Sequence, residues 1–250
     1  MIVRALVLLS LFLAAGAAAA QDSFSDRIRA AMEAEIRTEA ERDRDANRRP
    51  VETLEFFGIE SDMKVLELVP GGGWYAKLLA PALAADGEYV AAIGTSRLEN
   101  NLMGLAGFEQ AKALSIELET ERDPVLRQTS IKPFSFGETG FDAALTFRNM
   151  HNFTEEGRRS VNVAVFEALK PGGVYGVVDH TRRHMEPQWS ENRRRIDPVV
   201  VIHEVLDAGF EFVGYSDLHY KSDDELRFEV GRRAVSGNSD RFTLLFRKPE

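Results

Sequence analysis

The sequence contains no cysteine among its 250 residues. Disulfide bonds and thiolate metal sites are therefore excluded, and the folded chain depends on its apolar core. Cations are also scarce, since 31 Lys and Arg residues stand against 40 Asp and Glu residues, for a formal net charge of -9. A nucleic-acid surface usually needs a basic stripe, so we expect no nucleic-acid partner.

Long apolar runs are absent except at the N-terminus, where residues 1–20 read MIVRALVLLSLFLAAGAAAA. One cation, Arg4, precedes the apolar stretch, and small residues end it at Ala20. The stretch is shorter than the ~20 apolar residues that a membrane span needs. The pattern is typical of a cleavable signal peptide, with an uncleaved anchor as the alternative. We therefore predict cleavage near Ala20, a periplasmic or secreted protein, and no membrane span after cleavage.

Residues 21–58 are predicted to form an N-terminal helical extension of a domain at 59–250. Residues 22–47 carry only a thin apolar stripe, which predicts a mostly solvated helix. A short helix should begin at Pro50 and end at Gly58. The charged residues Asp43, Asp45, Arg48 and Arg49 indicate surface ion pairs or, alternatively, a lid over the loop that follows the first strand.

Strand and helix patterns alternate through the rest of the chain. Strands are predicted at 64–69, 88–93, 125–131, 141–147, 174–178, 210–215 and 242–246, and helices at 75–84, 106–119, 154–169 and 197–208. This alternation predicts an α/β fold, a mostly parallel sheet with helices on both faces. Only a polar loop separates the last two strands, which predicts that the last strand is antiparallel.

The segment VLELVPGGGWYAKLLA, residues 65–80, joins an apolar strand to an apolar helix through three glycines. Glycine permits positive φ and a close approach of the backbone to a ligand. The following helix directs its electropositive N-terminal end toward the same place, where an anionic group binds well. A tight turn without a ligand is the plainer alternative.

Four places in the sequence form one pattern, in this order: VLELVPGGGW, FDAALTFRNMHNF, LKPGGVYGVVDH, and the final pair AGFEFVGYSDL and DRFTLLFRKP. Together they resemble the class I S-adenosylmethionine-dependent methyltransferases. The chain is most similar to a subgroup of exported, predicted methyltransferases with a PGGGWY loop. The resemblance covers roughly residues 48–249. It implies a Rossmann-like sheet of seven strands, an antiparallel last strand, and S-adenosylmethionine as the cofactor.

The resemblance also implies which residues contact the cofactor. Glu67 would lie near the amino group of the methionine part, and Asn149 would orient substrate or cofactor. The full expected set is Glu67, Pro70, Gly71, Gly72, Gly73, Trp74 and Asn149. Two positions depart from the family pattern. Val69 replaces the usual first glycine of the loop, and Gly94 stands where most members carry the acid that holds the ribose hydroxyls.

Polar residues follow the strands predicted at 141–147 and 174–178. His151 or His180 would act as the base for a methyl acceptor, since histidine titrates near neutral pH, and Asp179 lies beside them. The alternative is that these groups only cap strand ends and bond to the loop backbone. A metal site from His151, Asp179, His180 and His184 rests on weak spacing, so no metal is predicted.

Three functions fit these patterns. The first is an exported S-adenosylmethionine-dependent methyltransferase that acts on a small-molecule acceptor. The second is a catalytically inactive methyltransferase-fold binding protein of the periplasm. The third is a dinucleotide oxidoreductase, since Gly71, Gly73 and Ala76 satisfy G-x-G-x-x-A. The third is weaker, because Gly94 also removes the acidic ribose contact that such enzymes use. The sequence carries no signal for the acceptor or for the oligomeric state.

Overall fold

The structure is a computed structural model that describes residues 23–250. The signal peptide predicted for residues 1–20 therefore lies outside the described residues. The strands are β1 Lys64–Leu68, β2 Glu88–Ala92, β3 Lys112–Ala113, β4 Thr120–Arg122, β5 Thr129–Ile131, β6 Phe141–Phe147, β7 Leu169–His180, β8 Glu211–Ser216 and β9 Arg241–Arg247. The α-helices are α1 Phe24–Met32, α2 Glu39–Arg42, α3 Asp45–Arg48, α4 Pro50–Phe56, α5 Ala76–Leu83, α6 Ser96–Asn101, α7 Glu155–Ala168 and α8 Pro198–Asp207.

Seven strands form one sheet in the order β3-β2-β1-β6-β7-β9-β8. The first five strands in this order, β3, β2, β1, β6 and β7, pair in parallel. β9 pairs antiparallel with both β7 and β8. The predicted Rossmann-like fold class is confirmed, and the antiparallel last strand lies inside the sheet. The short strands β4 and β5 form a separate antiparallel pair.

The apolar strands form the centre of the sheet because helices cover both of its faces. Side chains of a strand alternate between faces. Accordingly, Val65 packs in the cluster that includes α5, and Leu66 packs in the cluster that includes α7. Each fully buried side chain of this kind contributes about 1.5–3 kcal/mol. No helix within residues 23–250 is long and apolar enough to cross a membrane.

The helix predicted at 106–119 is wrong. Lys112–Ala113 forms β3, which pairs in parallel with Val90 and Ala91 at the edge of the sheet. The amide of Leu114 continues this pairing by donating to the carbonyl of Ala91 at 2.9 Å. The open edge of β2 thus overrides a weak helical pattern. The helix that follows β2 is instead α6, which the sequence did not indicate.

The solvated helix predicted at 22–47 is also wrong. The segment forms α1, α2 and α3, and it packs against the domain. Thr38 starts α2 with a capping box, in which its amide donates to a Glu41 carboxylate oxygen at 2.8 Å. This new start breaks the single helix. Ile28 on α1 is fully buried in the cluster that includes α5.

The short helix predicted to begin at Pro50 is confirmed as α4. Pro50 is its first residue, where the missing amide proton costs nothing. Gly58 follows its end with φ of +69°, the left-handed conformation that glycine adopts most readily.

Candidate functional site

A cavity of about 350 Å³ lies at the carboxyl ends of β1 and β6. β1 has β2 on one side and β6 on the other, so the strand order reverses beside it. Open α/β sheets bind ligands at such a switch point. We call this space the first cavity; it is lined by Glu41, Arg44, Arg48, Glu67, Val69, Pro70, Gly71, Gly72, Trp74, Tyr75, Arg97, Phe147, Arg148 and Asn149.

The glycine loop supplies bare backbone to the first cavity. Gly71 has φ of +59°, and Gly71 and Gly72 both line the space. Their amides donate to no other residue within 23–250, so they are available to a ligand. Gly73 has a different task. It does not line the first cavity, and a side chain there would collide with Leu102.

Three neighbouring strands end in a strained residue at this edge. Val69 after β1, Ile93 after β2 and Arg148 after β6 have φ of 52°, 64° and 65°. The left-handed region is unfavourable for side chains, above all for branched ones. Each such residue costs on the order of 1–3 kcal/mol, and such strain clusters at functional sites.

Glu67 is an acid buried at the end of β1. Its side chain is only 3% exposed, and the Tyr89 hydroxyl donates to its Oε2 at 2.6 Å. Burial raises the pKa of Glu67 to about 7, although Tyr89 and the nearby Arg48 guanidinium favour the carboxylate. The group therefore changes charge near neutral pH.

The N-terminal segment forms one wall of the first cavity. Trp74 Nε1 donates to the Glu41 carbonyl at 3.0 Å, and the Arg48 guanidinium lies over the indole ring at 4.2 Å. Lys77 Nζ contacts both Glu41 carboxylate oxygens, at 3.0 and 2.9 Å. Trp74, which follows the glycines, is thus fixed against the N-terminal extension. The surface ion pairs expected around Arg48 are wrong for this residue, because it is buried and faces the cavity.

Asn149 ties the exits of β6 and β1 together. Its Nδ2 donates to the carbonyls of Leu68 and Val69 at 3.2 and 3.4 Å. It also lines the first cavity beside Arg148. The geometry gives Asn149 a positioning role, and its contact with a ligand stays a prediction.

The structure brings His151, Asp179 and His180 together. Asp179 is fully buried; its Oδ1 lies 2.6 Å from His151 Nδ1 and accepts from the amide of His180 at 2.7 Å. The two imidazole rings lie 5.7 Å apart, between centroids. The catalytic role of the three residues stays a prediction.

The two histidines differ in their access to a ligand. His180 lines a second cavity of about 400 Å³, whereas His151 lines neither this space nor the first cavity. Burial, with the charges of His151 and Arg148, holds the pKa of His180 well below its usual value. His180 is therefore neutral at pH 7.

No protein-family model and no curated protein matches the sequence. Solved structures do match. One is a crystal structure of an S-adenosylmethionine-dependent methyltransferase from Aquifex aeolicus, with a TM-score of 0.56 and 14% identity, over 89% of this chain and 97% of that chain. The chain has the class I methyltransferase fold.

Two further structures share this methyltransferase fold. The glycopeptide N-methyltransferase MtfA matches with a TM-score of 0.52 and 16% identity, over 82% of this chain and 91% of that chain. The cyclase SpnF matches with a TM-score of 0.54 and 15% identity, over 81% of this chain and 80% of that chain. Since one of these proteins is a cyclase, the methyltransferase fold does not by itself define the reaction.

The exit of β2 differs from the usual pattern of the methyltransferase fold. Gly94 is exposed with φ of +67°, and it offers no side chain to a ribose. The nearest acid along the chain, Glu99, accepts a hydrogen bond from the Thr95 hydroxyl. Arg97 instead lines the first cavity, so this side of the cavity carries a cation.

Sequence analysis missed several residues of the first cavity, namely Glu41, Arg44, Arg97 and Phe147. Arg97 lies shortly after the second predicted strand, and this position in the sequence could have indicated that its side chain reaches the site. Among residues 23–250, no group of three or more His, Asp or Glu residues is placed to hold a metal ion. His184 contacts the Asp197 carboxylate at 2.9 Å.

Proposed function

We propose that the protein binds S-adenosylmethionine in the first cavity and transfers its methyl group to a small molecule. The observation that carries the proposal is the placement of Glu67 beside two unpaired glycine amides at the switch point of a methyltransferase fold. A carboxylate and backbone amides are complementary to the ammonium and the carboxylate of an amino-acid group.

Different residues of the first cavity would bind different parts of the cofactor. Glu67 would take the ammonium group, and the amides of Gly71 and Gly72 would take the carboxylate. Trp74 and Phe147 add apolar surface for the remainder of the molecule. When bound, the cofactor would supply a methyl group on a positively charged sulfur, with S-adenosylhomocysteine as the leaving group.

The acceptor needs alignment and a base. His180 would act as the base, because it lines the cavity next to the cofactor site. His180 would take the proton that the acceptor atom loses on methylation. Asp179 acts as a positioning residue by holding the backbone amides of His151 and His180.

Calorimetric titration with S-adenosylmethionine and S-adenosylhomocysteine tests the proposal. We expect both ligands to bind the folded protein below millimolar concentration. Absence of heat at millimolar ligand contradicts the proposal. The inactive binding protein is the alternative. It predicts binding, but no S-adenosylhomocysteine when the protein is incubated with S-adenosylmethionine and mixed small-molecule acceptors.

We also propose that the protein is exported to the cell envelope. Support comes from residues 1–20, with their single Arg4, apolar stretch and small residues before Gln21. Mass spectrometry of the protein from its native cells should find an N-terminus near Gln21. An intact Met1 on a cytosolic protein would contradict the proposed export.

A further inference from the structure

The second cavity is lined by cations and by no acid. Its lining consists of Arg44, Asn47, Arg48, Arg148, His180, Arg194, Val230, Gly231, Ser236, Gly237, Ser239 and Arg241. Arg44, Arg48 and Arg148 also line the first cavity, so the two spaces adjoin. The arginines gather here although the chain carries a formal net charge of -9.

Most of these guanidinium groups lack a carboxylate partner. Arg194 pairs with Glu229. Arg44, Arg48, Arg148 and Arg241 form no ion pair with any Asp or Glu within residues 23–250.

Arg241 is held in place by neutral groups instead. It donates only to backbone carbonyls, to Asn47 at 2.5 Å and to Ser239 at 3.4 Å. The fold therefore orients its guanidinium without an ion pair among residues 23–250, although Asp240 lies near enough to favour the charge.

Burial makes these free cations unfavourable. Arg48 and Arg241 are only 4% and 6% exposed. Burial, together with the charge of neighbouring Arg148, lowers the pKa of Arg48 to about 9 and that of Arg241 to about 10. A buried charge without a partner is costly, and an oxyanion in a guanidinium fork offsets that cost. Binding of an anionic group in the second cavity would therefore be favourable.

We propose that the second cavity binds a carboxylate or phosphate group of the molecule that accepts the methyl group. The role as acceptor site rests on the proposed function, whereas the anion site rests on the arginines alone. Arg148 and Arg241 would hold the anion, and His180 lines the same space. A volume of about 400 Å³ fits a small molecule. The acceptor is therefore a small organic acid or a phosphate ester.

Calorimetry with sodium phosphate and with sodium acetate, each against sodium chloride of equal ionic strength, tests the anion site. We expect binding of one or both anions, and the stronger one identifies the class of acceptor. Arg241→Gln and Arg148→Gln should weaken binding about tenfold, the loss expected for one charged hydrogen-bonding partner. Arg247→Gln is the matched control, because Arg247 lies exposed on the same strand β9. It should change the affinity by less than about twofold.

Three results would overturn the inference. The first is no binding of either anion to the folded protein, and the second is an equal loss in Arg247→Gln. The third is loss of anion binding when S-adenosylhomocysteine saturates the protein, since the anion would then occupy the cofactor site. If Arg241→Gln does not fold, Arg148→Gln decides, with the phosphate-induced rise in melting temperature as the readout. Failure of the proposed function is separate, since it shows as no binding of S-adenosylhomocysteine.

Discussion

Glu67 places a titrating acid at the centre of the candidate site. Its pKa is raised to about 7 by burial, from an ordinary value of 4.5. The native state therefore holds the proton more tightly than the unfolded state does. Stability contributed by the protonated form is complete below pH 4.5 and is lost as the pH rises to 7. An ammonium group beside Glu67 would reverse this effect, because it favours the carboxylate.

We predict that Glu67→Gln removes this loss of stability. The variant and the wild type should have similar free energies of unfolding near pH 4.5, and the variant should be more stable by roughly 3 kcal/mol at pH 8. Urea denaturation across this pH range measures the difference. Glu52→Gln, on α4, where the side chain is 45% exposed, should show a difference below about 0.5 kcal/mol at every pH. A constant difference for Glu67→Gln would contradict the burial argument.

At the scale of elements, the N-terminal helices are part of the site. α2 contacts the loop and α5 through Glu41, whose carboxylate is paired with Lys77 in a nearly buried position. α3 ends at Arg48, whose carbonyl accepts from His219 Nε2 at 2.9 Å. Fixing these short helices against the domain places the Arg48 side chain in both cavities.

Lys77→Met should loosen this attachment. It leaves the Glu41 carboxylate nearly buried without its cation, which we expect to cost about 3 kcal/mol of stability at pH 7. Lys112→Met is the matched control, because the Lys112 side chain is 55% exposed and pairs with Glu88 at the edge of the sheet. It should cost much less than Lys77→Met in the same urea denaturation, because water screens an exposed ion pair. Equal costs for the two variants would show that α2 is not anchored through Glu41.

The sequence predicted the central elements better than the peripheral ones. β1 and β6 are mostly apolar and buried, and burial on both faces of the sheet makes such strands easy to recognise. Residues 106–119 failed because edge pairing with β2 decides their structure. The prediction of one solvated helix for the extension failed because charged side chains are among the residues buried there. Arg37, for example, donates to Asp45 and to the Met32 carbonyl. Hydrophobic periodicity does not record such contacts.

The candidate site was predictable where it depends on local motifs. Glu67 lies near the end of β1 and the glycines follow the strand, so a strand–turn–helix motif was enough to find them. Arg48, Arg148 and Arg241 come from three distant parts of the chain, and only the fold brings them to one cavity. No local pattern marks them.

At the scale of the whole molecule, an acidic protein encloses a basic site. The net charge of -9 is spread over the chain, whereas both cavities at this end of the sheet are lined mainly by arginine among their charged residues. A cleft lined by one sign of charge concentrates ligands of the opposite sign. The second cavity, which no Asp or Glu lines, should therefore attract anionic ligands. The first cavity also contains Glu41 and Glu67, and our central claim is that S-adenosylmethionine binds there, above β1 and β6.

Blocking the first cavity at Gly72 tests that claim most directly. A side chain at Gly72 needs no positive φ and meets only Arg97, so Gly72→Leu should fold and fill space that the cofactor needs. Gly214→Leu is the control, because it adds the same side chain in open space on β8. Calorimetry with S-adenosylhomocysteine should show binding lost in Gly72→Leu and unchanged in Gly214→Leu. Unchanged affinity in a folded Gly72→Leu would contradict the account.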